Sequence, residues 1–370
     1  MRTLIVAAGG GGDAITGAAI GGRQGTSGLP VVMTYSWDRL MIDPLPGPRI
    51  AADFTGLHQL APHVLEVVAT TTPIGSAGSS LPRLAAELPA RLLLLDPSGG
   101  AVGLARQIAA AVEFFQFDDI DLIDVGGDAL TDGADPGLRS PLADQLALAA
   151  CVRTGIPARL LITGAGLDGE LPAAVIAERL ARLDAQHLPP LDAEAIAPVR
   201  QVFGWHPSEA SGLLAAAAAG RRGKVEVRDA GDHVEMTDAT TMLSAVDAKR
   251  AADMTPAVHL AVAPSLDNAE RMIREVTGIS EIAYETKKAA RLAAHQAHEP
   301  TTADLPAVDR FADDARAHGA DFVSVRRLSE LLGATTLPAF GALTDLLSTD
   351  RAERYEFSLY RTASGRRSLR

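Results

Sequence analysis

Apolar residues along this chain gather in short runs, most of them closed by glycine or aspartate. Four stand out in the first half: Leu4–Ala8 (LIVAA), Arg91–Leu95 (RLLLL), Ile120–Val125 (IDLIDV) and Ala158–Thr163 (ARLLIT). Pro30–Tyr35 (PVVMTY) and His63–Ala69 (HVLEVVA) add two more. Short runs that are apolar nearly throughout and end in turn residues have the pattern of buried parallel strands. Between them the spacing predicts helices over Ala14–Ile20, Leu81–Leu88, Val102–Phe115, Pro141–Thr154 and Leu171–Ala185. This alternation predicts an α/β fold with an open, mostly parallel, doubly wound, Rossmann-like sheet and right-handed crossovers. Ser140, with Pro141 at the first helical position, reads as an N-cap whose hydroxyl accepts an orphan N–H.

The pattern changes after Gln186. Residues 1–186 are expected to form the Rossmann-like core with its Gly/Asp-rich loops. Residues 187–370 are expected to be a mainly helical second half that completes the sheet or covers the site. The Pro-rich stretch HLPPLDAEAIAP (187–198) reads as a connection between them. Lys224–Arg228 and His233–Thr237 alternate around Asp-Ala-Gly-Asp, a hairpin pattern. Helices are expected over Ser208–Ala219, Asp238–Arg250, Ser265–Val276, Ile279–Ala297 and Leu305–His318, then a strand at Phe322–Val325 and a last helix near Pro338–Leu347.

Composition narrows the class. The chain has 370 residues, 34 of them glycine, but only 2 Trp and 4 Tyr, so the places where glycine concentrates matter. The net charge is −12, and no cluster of cations offers the counterion release that duplex binding requires. The Arg-rich end, Arg366–Arg370, is short and reads as a solvated tail. No apolar run reaches the ~18 residues of a membrane span, so a cytoplasmic protein is expected, binding neither nucleic acid nor membrane. The one cysteine, Cys151, lies in LALAACV and reads as packing.

Glycine and acid recur together after the strands. The loops are Gly9-Gly10-Gly11-Gly12-Asp13; Asp96-Pro97-Ser98-Gly99-Gly100; Asp124-Val125-Gly126-Gly127-Asp128 with Asp132, Gly133, Asp135 and Gly137; and Gly164-Ala165-Gly166-Leu167-Asp168-Gly169-Glu170. In an open α/β sheet, ligands sit outside the carboxyl ends of the strands, where strand order reverses. Four loops at one edge therefore predict one crevice. Asp13, Asp124 and Asp128 are the expected catalytic carboxylates. Gly10, Gly11, Gly12, Asp38, Gly126, Gly127, Asp144, Asp168 and Glu170 are the expected substrate-binding residues. The glycine N–H groups would hold an anionic oxygen.

Each feature also has a plain structural account. Asp13 and Asp144 fall in helix first turns, where an acid suits the dipole. Asp124 could cap its own loop, and Asp168 or Glu170 the next helix. Gly9–Ala14 fits G-x-G-x-x-A, with Asp38 placed for a ribose hydroxyl, but Asp13 would oppose a pyrophosphate. Asp124 and Asp128 could face one divalent ion, yet no metal-ligand set is assigned, because the nine histidines show no ligand spacing. Trp205-His206 in GWHPSE is a candidate pocket wall from the second half. Lys287-Lys288 with Glu285 reads as a solvated helix face. No nucleophile elbow or Walker A motif occurs.

The ordered motifs GGGGDA (Gly9–Ala14), SWDR (Ser36–Arg39), PGP (Pro46–Pro48), DVGGDAL (Asp124–Leu130), SPLAD (Ser140–Asp144) and GLDGEL (Gly166–Leu171) resemble the prokaryotic family known as domain of unknown function 1152. The resemblance covers roughly Leu4–Leu183 and implies a location for the site, not a reaction. The short Asp-Gly-Gly segment after a strand is similar to part of D-glutamate cyclase-like proteins, which interconvert an amino acid and its lactam. The leading expectation is a non-redox enzyme, a hydrolase or lyase/cyclase, acting on a small polar amine- or amino-acid-like metabolite. One alternative is a nucleotide- or NAD(P)-binding oxidoreductase or transferase. The other is a non-catalytic small-molecule-binding protein. The cofactor is left open, and a homo-oligomer is allowed.

Overall fold

The computed structural model describes residues 2–23, 28–228 and 233–363. The expected hairpin turn at 229–232 and the Arg-rich end at 366–370 lie outside the described residues.

The apolar runs become β1 (Thr3–Ala7), β2 (Val31–Tyr35), β7 (Arg91–Leu95), β8 (Asp119–Val125) and β9 (Ala158–Thr163). These five run parallel in the spatial order β9-β8-β1-β2-β7. The chain starts in the middle, winds out to β7 and returns to the far side of β1, so its order reverses between β1 and β8. Residues along each strand point alternately to two apolar clusters. Leu4, Val6, Met33, Leu93 and Leu122 enter one; Ile5, Ala7, Val32, Leu92 and Ile123 enter the other. Helices cover both faces. α1 (Gly11–Gly22) and α2 (Leu81–Glu87) lie on the second cluster; α3 (Gly100–Phe115), α4 (Pro141–Arg153) and α5 (Ala173–Arg182) lie on the first. Every residue from Pro141 to Cys151 is buried, Asp144 and Gln145 among them.

Four further strands extend this sheet to nine. β4 (His58–Ala61) and β5 (Val64–Val67) lie beyond β7, while β10 (Gln186–Leu188) and β13 (Leu243–Asp247) lie beyond β9. The run His63–Ala69 is thus a strand, but an antiparallel one. Its reason is local: Ala61 pairs with Val64 across a two-residue connection, and His63 sits at φ 67. A turn that short can only reverse the chain.

The second half departs most from expectation at Asp238–Arg250. It is not one helix. A 3₁₀ turn (Asp238–Thr241) leads into β13 and then a short helix, Ala248–Asp253. LSAVD pairs antiparallel with β9, and sheet burial overrides the helical preference of its alanine-rich flank. Residue 186 falls inside β10, so the Pro-rich stretch after it is not a free linker. It carries the end of that strand and the helix α6 (Ala193–Ile196).

A second sheet holds β11 (Gly223–Glu226) and β12 (His233–Met236), the two arms of the expected hairpin. It continues through β14 (Phe322–Ser324), β16 (Leu359–Arg361) and β15 (Tyr355–Glu356). A two-stranded ribbon pairs β3 (Phe54–Thr55) with β6 (Thr72–Pro73). The helix α7 (Glu209–Ala218) and Val225, Phe322 and Leu359 join the second apolar cluster, so this part packs against the main sheet. Among the described residues no helix is long and apolar enough to cross a membrane.

Candidate active site

The carboxyl ends of β1 and β8, flanking the order reversal, open onto a small cavity of about 90 Å³. Its walls carry Asp13, Asp38, Asp124, Asp128, Asp144, Asp168 and Glu170, every acid singled out in the sequence as a site residue. The Asp96 loop does not join them. Asp96 accepts from Ser98 N–H and Ala51 N–H, and Gly100 is pressed against Ala263 and Ser265.

Asp13 stands in the first turn of α1, where its Oδ2 accepts the Gly9 N–H at 3.0 Å. Asp124 ends β8 and turns back on its own loop, accepting Gly127 N–H at 3.1 Å and Ala129 N–H at 3.0 Å. Asp144 enters from the first turn of α4. One carboxylate oxygen from each of Asp13, Asp124 and Asp144 lies within 4.8 Å of the others, close enough to hold one metal ion. Sequence spacing could not show this set, because its members come from three separate elements. Asp128 and Asp168 line the same cavity, and the charge of Asp168 is among those that raise Asp128.

This crowding sets the electrostatics. Burial first, then neighbouring carboxylates, drive Asp124, Asp128 and Asp144 well above the usual carboxylate range. Burial raises Asp13 to about 7 against its hydrogen bonds from Gly9 and Val125. Burial and then Glu170 raise Asp168 to about 7. Carboxyls that cannot all ionise together stay in part protonated, and a cavity walled by them could accept a cation in place of those protons.

Other predicted residues have structural duties. Asp38 spends both oxygens on Ser80, at 2.6 Å to the hydroxyl and 2.9 Å to the N–H, although it still lines the cavity. Glu170 accepts Arg139 N–H, Ser140 N–H and the Ser140 hydroxyl. Ser140 is therefore not the cap of α4. Glu281 takes that task from the far half of the chain, accepting Leu142 N–H at 2.9 Å. Gly126 and Gly127 hold no oxyanion, because their N–H groups go to the Thr163 carbonyl and to Asp124. Gly126 sits at φ 138, and a Cβ there would lie 2.0 Å from Asp168 Oδ2.

The tetraglycine is shaped by the protein itself. A Cβ on Gly10 would meet the Trp37 carbonyl at 2.7 Å, on Gly11 the Ser80 hydroxyl at 2.7 Å, and on Gly12 the Ser208 hydroxyl at 2.5 Å. Asp38 Oδ1 and His206 Nε2 also crowd Gly11. The glycines thus admit the chain's own side chains where a pyrophosphate would need open space.

Several site residues escaped sequence reasoning. Glu281 and Glu285 begin a helix (Glu281–Ala293) that closes one wall, so this face is not simply solvated. Glu285 accepts from the Trp37 indole and from Gly47 N–H. Burial raises both acids. Arg39 and Arg228 line the same cavity. The SWDR and PGP motifs held the clue to this wall, since Trp37, Arg39 and Gly47 all touch it.

His206, the candidate wall from the second half, is in place, 4% exposed and lining the cavity. Its Nδ1 accepts Ser208 N–H at 3.2 Å, which leaves the proton on Nε2. Nε2 has no partner among the described residues. Burial, Arg39 and Arg83 lower His206 to about 3, so it stays neutral. Trp205 faces away, donating to Glu87 at 2.6 Å.

Fold and site define an α/β protein with a buried carboxylate pocket at the point where strand order reverses. A family model described as protein of unknown function (DUF1152) matches residues 4–289, and the chain belongs to that family. No curated protein and no solved structure matches the chain.

Proposed function

We propose that this protein is a non-redox enzyme, a hydrolase or lyase of the cyclase kind, on a Rossmann-like sheet. Its substrate is a small polar metabolite that carries an amine or amidine. The cationic group enters the acidic cavity and supplies the charge that Asp124, Asp128 and Asp144 lack. The observation that carries this reading is the pair Asp13 and Asp168. Both line the cavity and both are raised to about 7, so each holds and releases a proton near neutral pH. General acid–base catalysis requires that condition. Neutral His206 adds a fixed N–H donor for a carbonyl or hydroxyl oxygen of the substrate.

The covered face of Gly11 weighs against a nucleotide on the first loop. The test is a thermal-shift screen of amines, guanidines, amino acids and lactams, with NAD(P)⁺, S-adenosylmethionine and ATP beside them, followed by turnover of the hit. Asp13→Asn should lower turnover by roughly 10²–10⁴-fold, the usual worth of a general acid or base. Folded Asp13→Asn and Asp124→Asn variants that turn over the hit at full rate would overturn the proposal. An NAD(P)⁺ shift would favour the oxidoreductase.

The approach of Asp13, Asp124 and Asp144 within 4.8 Å favours a second reading, in which a hard divalent ion occupies this corner. Mg²⁺ or Mn²⁺ should then raise the melting temperature of the wild type and not of Asp144→Asn.

A further inference from the structure

Outside the acid cavity the charge changes sign. A second small cavity, about 50 Å³, shares Arg39, Ser140, Glu170, Arg228, Glu281 and Glu285 with the first. To these it adds Arg139, Lys288 and Arg326, so five cationic side chains line it against three carboxyls. Two of the five are nearly buried, Arg228 and Arg326, each 8% exposed. Arg228 is fixed from behind by Glu209, and Arg326 by Glu330. Arg326 Nε keeps no partner among the described residues. Arg39 lines the same cavity as both. Arg228 first, then desolvation and Arg326, bring its pKa down to about 10, the mark of guanidiniums held together.

Like charges held together, two of them nearly buried, cost free energy unless an anion joins them. Guanidiniums also present forked N–H pairs that match carboxylate and phosphate oxygens.

We propose that Arg39, Arg228 and Arg326 form an oxyanion subsite at the mouth of the acid cavity, taking a carboxylate or phosphate group of the substrate. This rests on the reading of the inner cavity as the seat of a cationic group, and makes the substrate dipolar. Arg39 stands between the two halves, since its charge is also felt by Asp13, Asp38 and His206.

The test uses the whole chain and simple probes. Melting temperature is followed against inorganic phosphate, acetate and glycine, with chloride at matched ionic strength as the control. Phosphate or acetate should stabilise beyond chloride, and whichever does so at lower concentration identifies the group. The half-effect concentration should rise about tenfold or more in Arg326→Gln and in Arg39→Gln. Arg39→Gln, with an exposed side chain, is the variant expected to fold in every case. Asp124→Asn should still respond to the anion, which separates this subsite from the chemistry proposed for the acids. Glycine acting at lower concentration than acetate adds the inner cavity's share. A response to phosphate and acetate no larger than to chloride in the wild type, or unchanged half-effect concentrations in both arginine variants, would overturn the proposal.

Discussion

Replacing Asp13 by Asn should make the protein increasingly stable relative to wild type as pH rises. The argument is linkage. The Asp13 carboxyl is raised in the fold from 3.8 to about 7. A raised acid favours the folded state below its unfolded pKa, and that advantage is lost as pH climbs toward the folded value. The window is therefore about pH 4 to 7. At pH 8 the full shift of about 3 units corresponds to about 4 kcal/mol at 1.36 kcal/mol per unit. At pH 5 only about 1.2 units have been traversed, or somewhat under 2 kcal/mol. Asn mimics the protonated acid and does not titrate. It accepts from Gly9 as before, and whatever it loses as an acceptor is the same at both pH values. The variant's stability relative to wild type should thus be about 2–3 kcal/mol more favourable at pH 8 than at pH 5. Urea unfolding of both proteins at the two pH values, without added metal or amine, measures this double difference. Equal relative stability at pH 5 and pH 8 would refute the account of a buried, charge-starved acid cluster.

Gly126→Ala should be among the most damaging small changes. It combines φ 138 with a Cβ 2.0 Å from Asp168 Oδ2, so a loss on the order of 3 kcal/mol and a lower urea midpoint are expected. Cys151 is fully buried with its thiol pushed up to about 12, so Ellman's reagent should label it only after denaturation. Rapid labelling of the native protein would contradict the packing of α4.

The parallel strands and the acid floor were legible because burial writes itself locally. LIVAA and IDLIDV have to be strands buried on both faces, and the acids that close them follow the carboxyl edge. Glu281 was not legible. Nothing near residue 281 says that its carboxylate caps a helix that begins at 141. Arg228 and Arg326 were hidden for the same reason, since each reads as an ordinary surface cation until the second sheet packs. Asp238–Arg250 misled because β13 owes its shape to β9, not to its own residues. The tetraglycine by itself did not tell a ligand loop from close packing. It fits a phosphate-binding pattern, yet its glycines make room for Trp37, Ser80 and Ser208.

The reach of Glu281 has a consequence for how the site is born. Asp13 leaves the ribosome about 270 residues before Glu281, roughly 15–50 s earlier at ~5–20 residues per second. Until then α4 lacks its cap, and the wall that dries the acids is missing. The nascent chain can build its central strands while its carboxylates remain hydrated and ordinary. The enclosed acid cavity is complete only when this wall closes, which makes synthesis through this helix the event that dries the acids. A fragment cut at residue 186 would carry most of the acids but not Glu281 and the wall it belongs to, so the part of their proton affinity that comes from burial should fall.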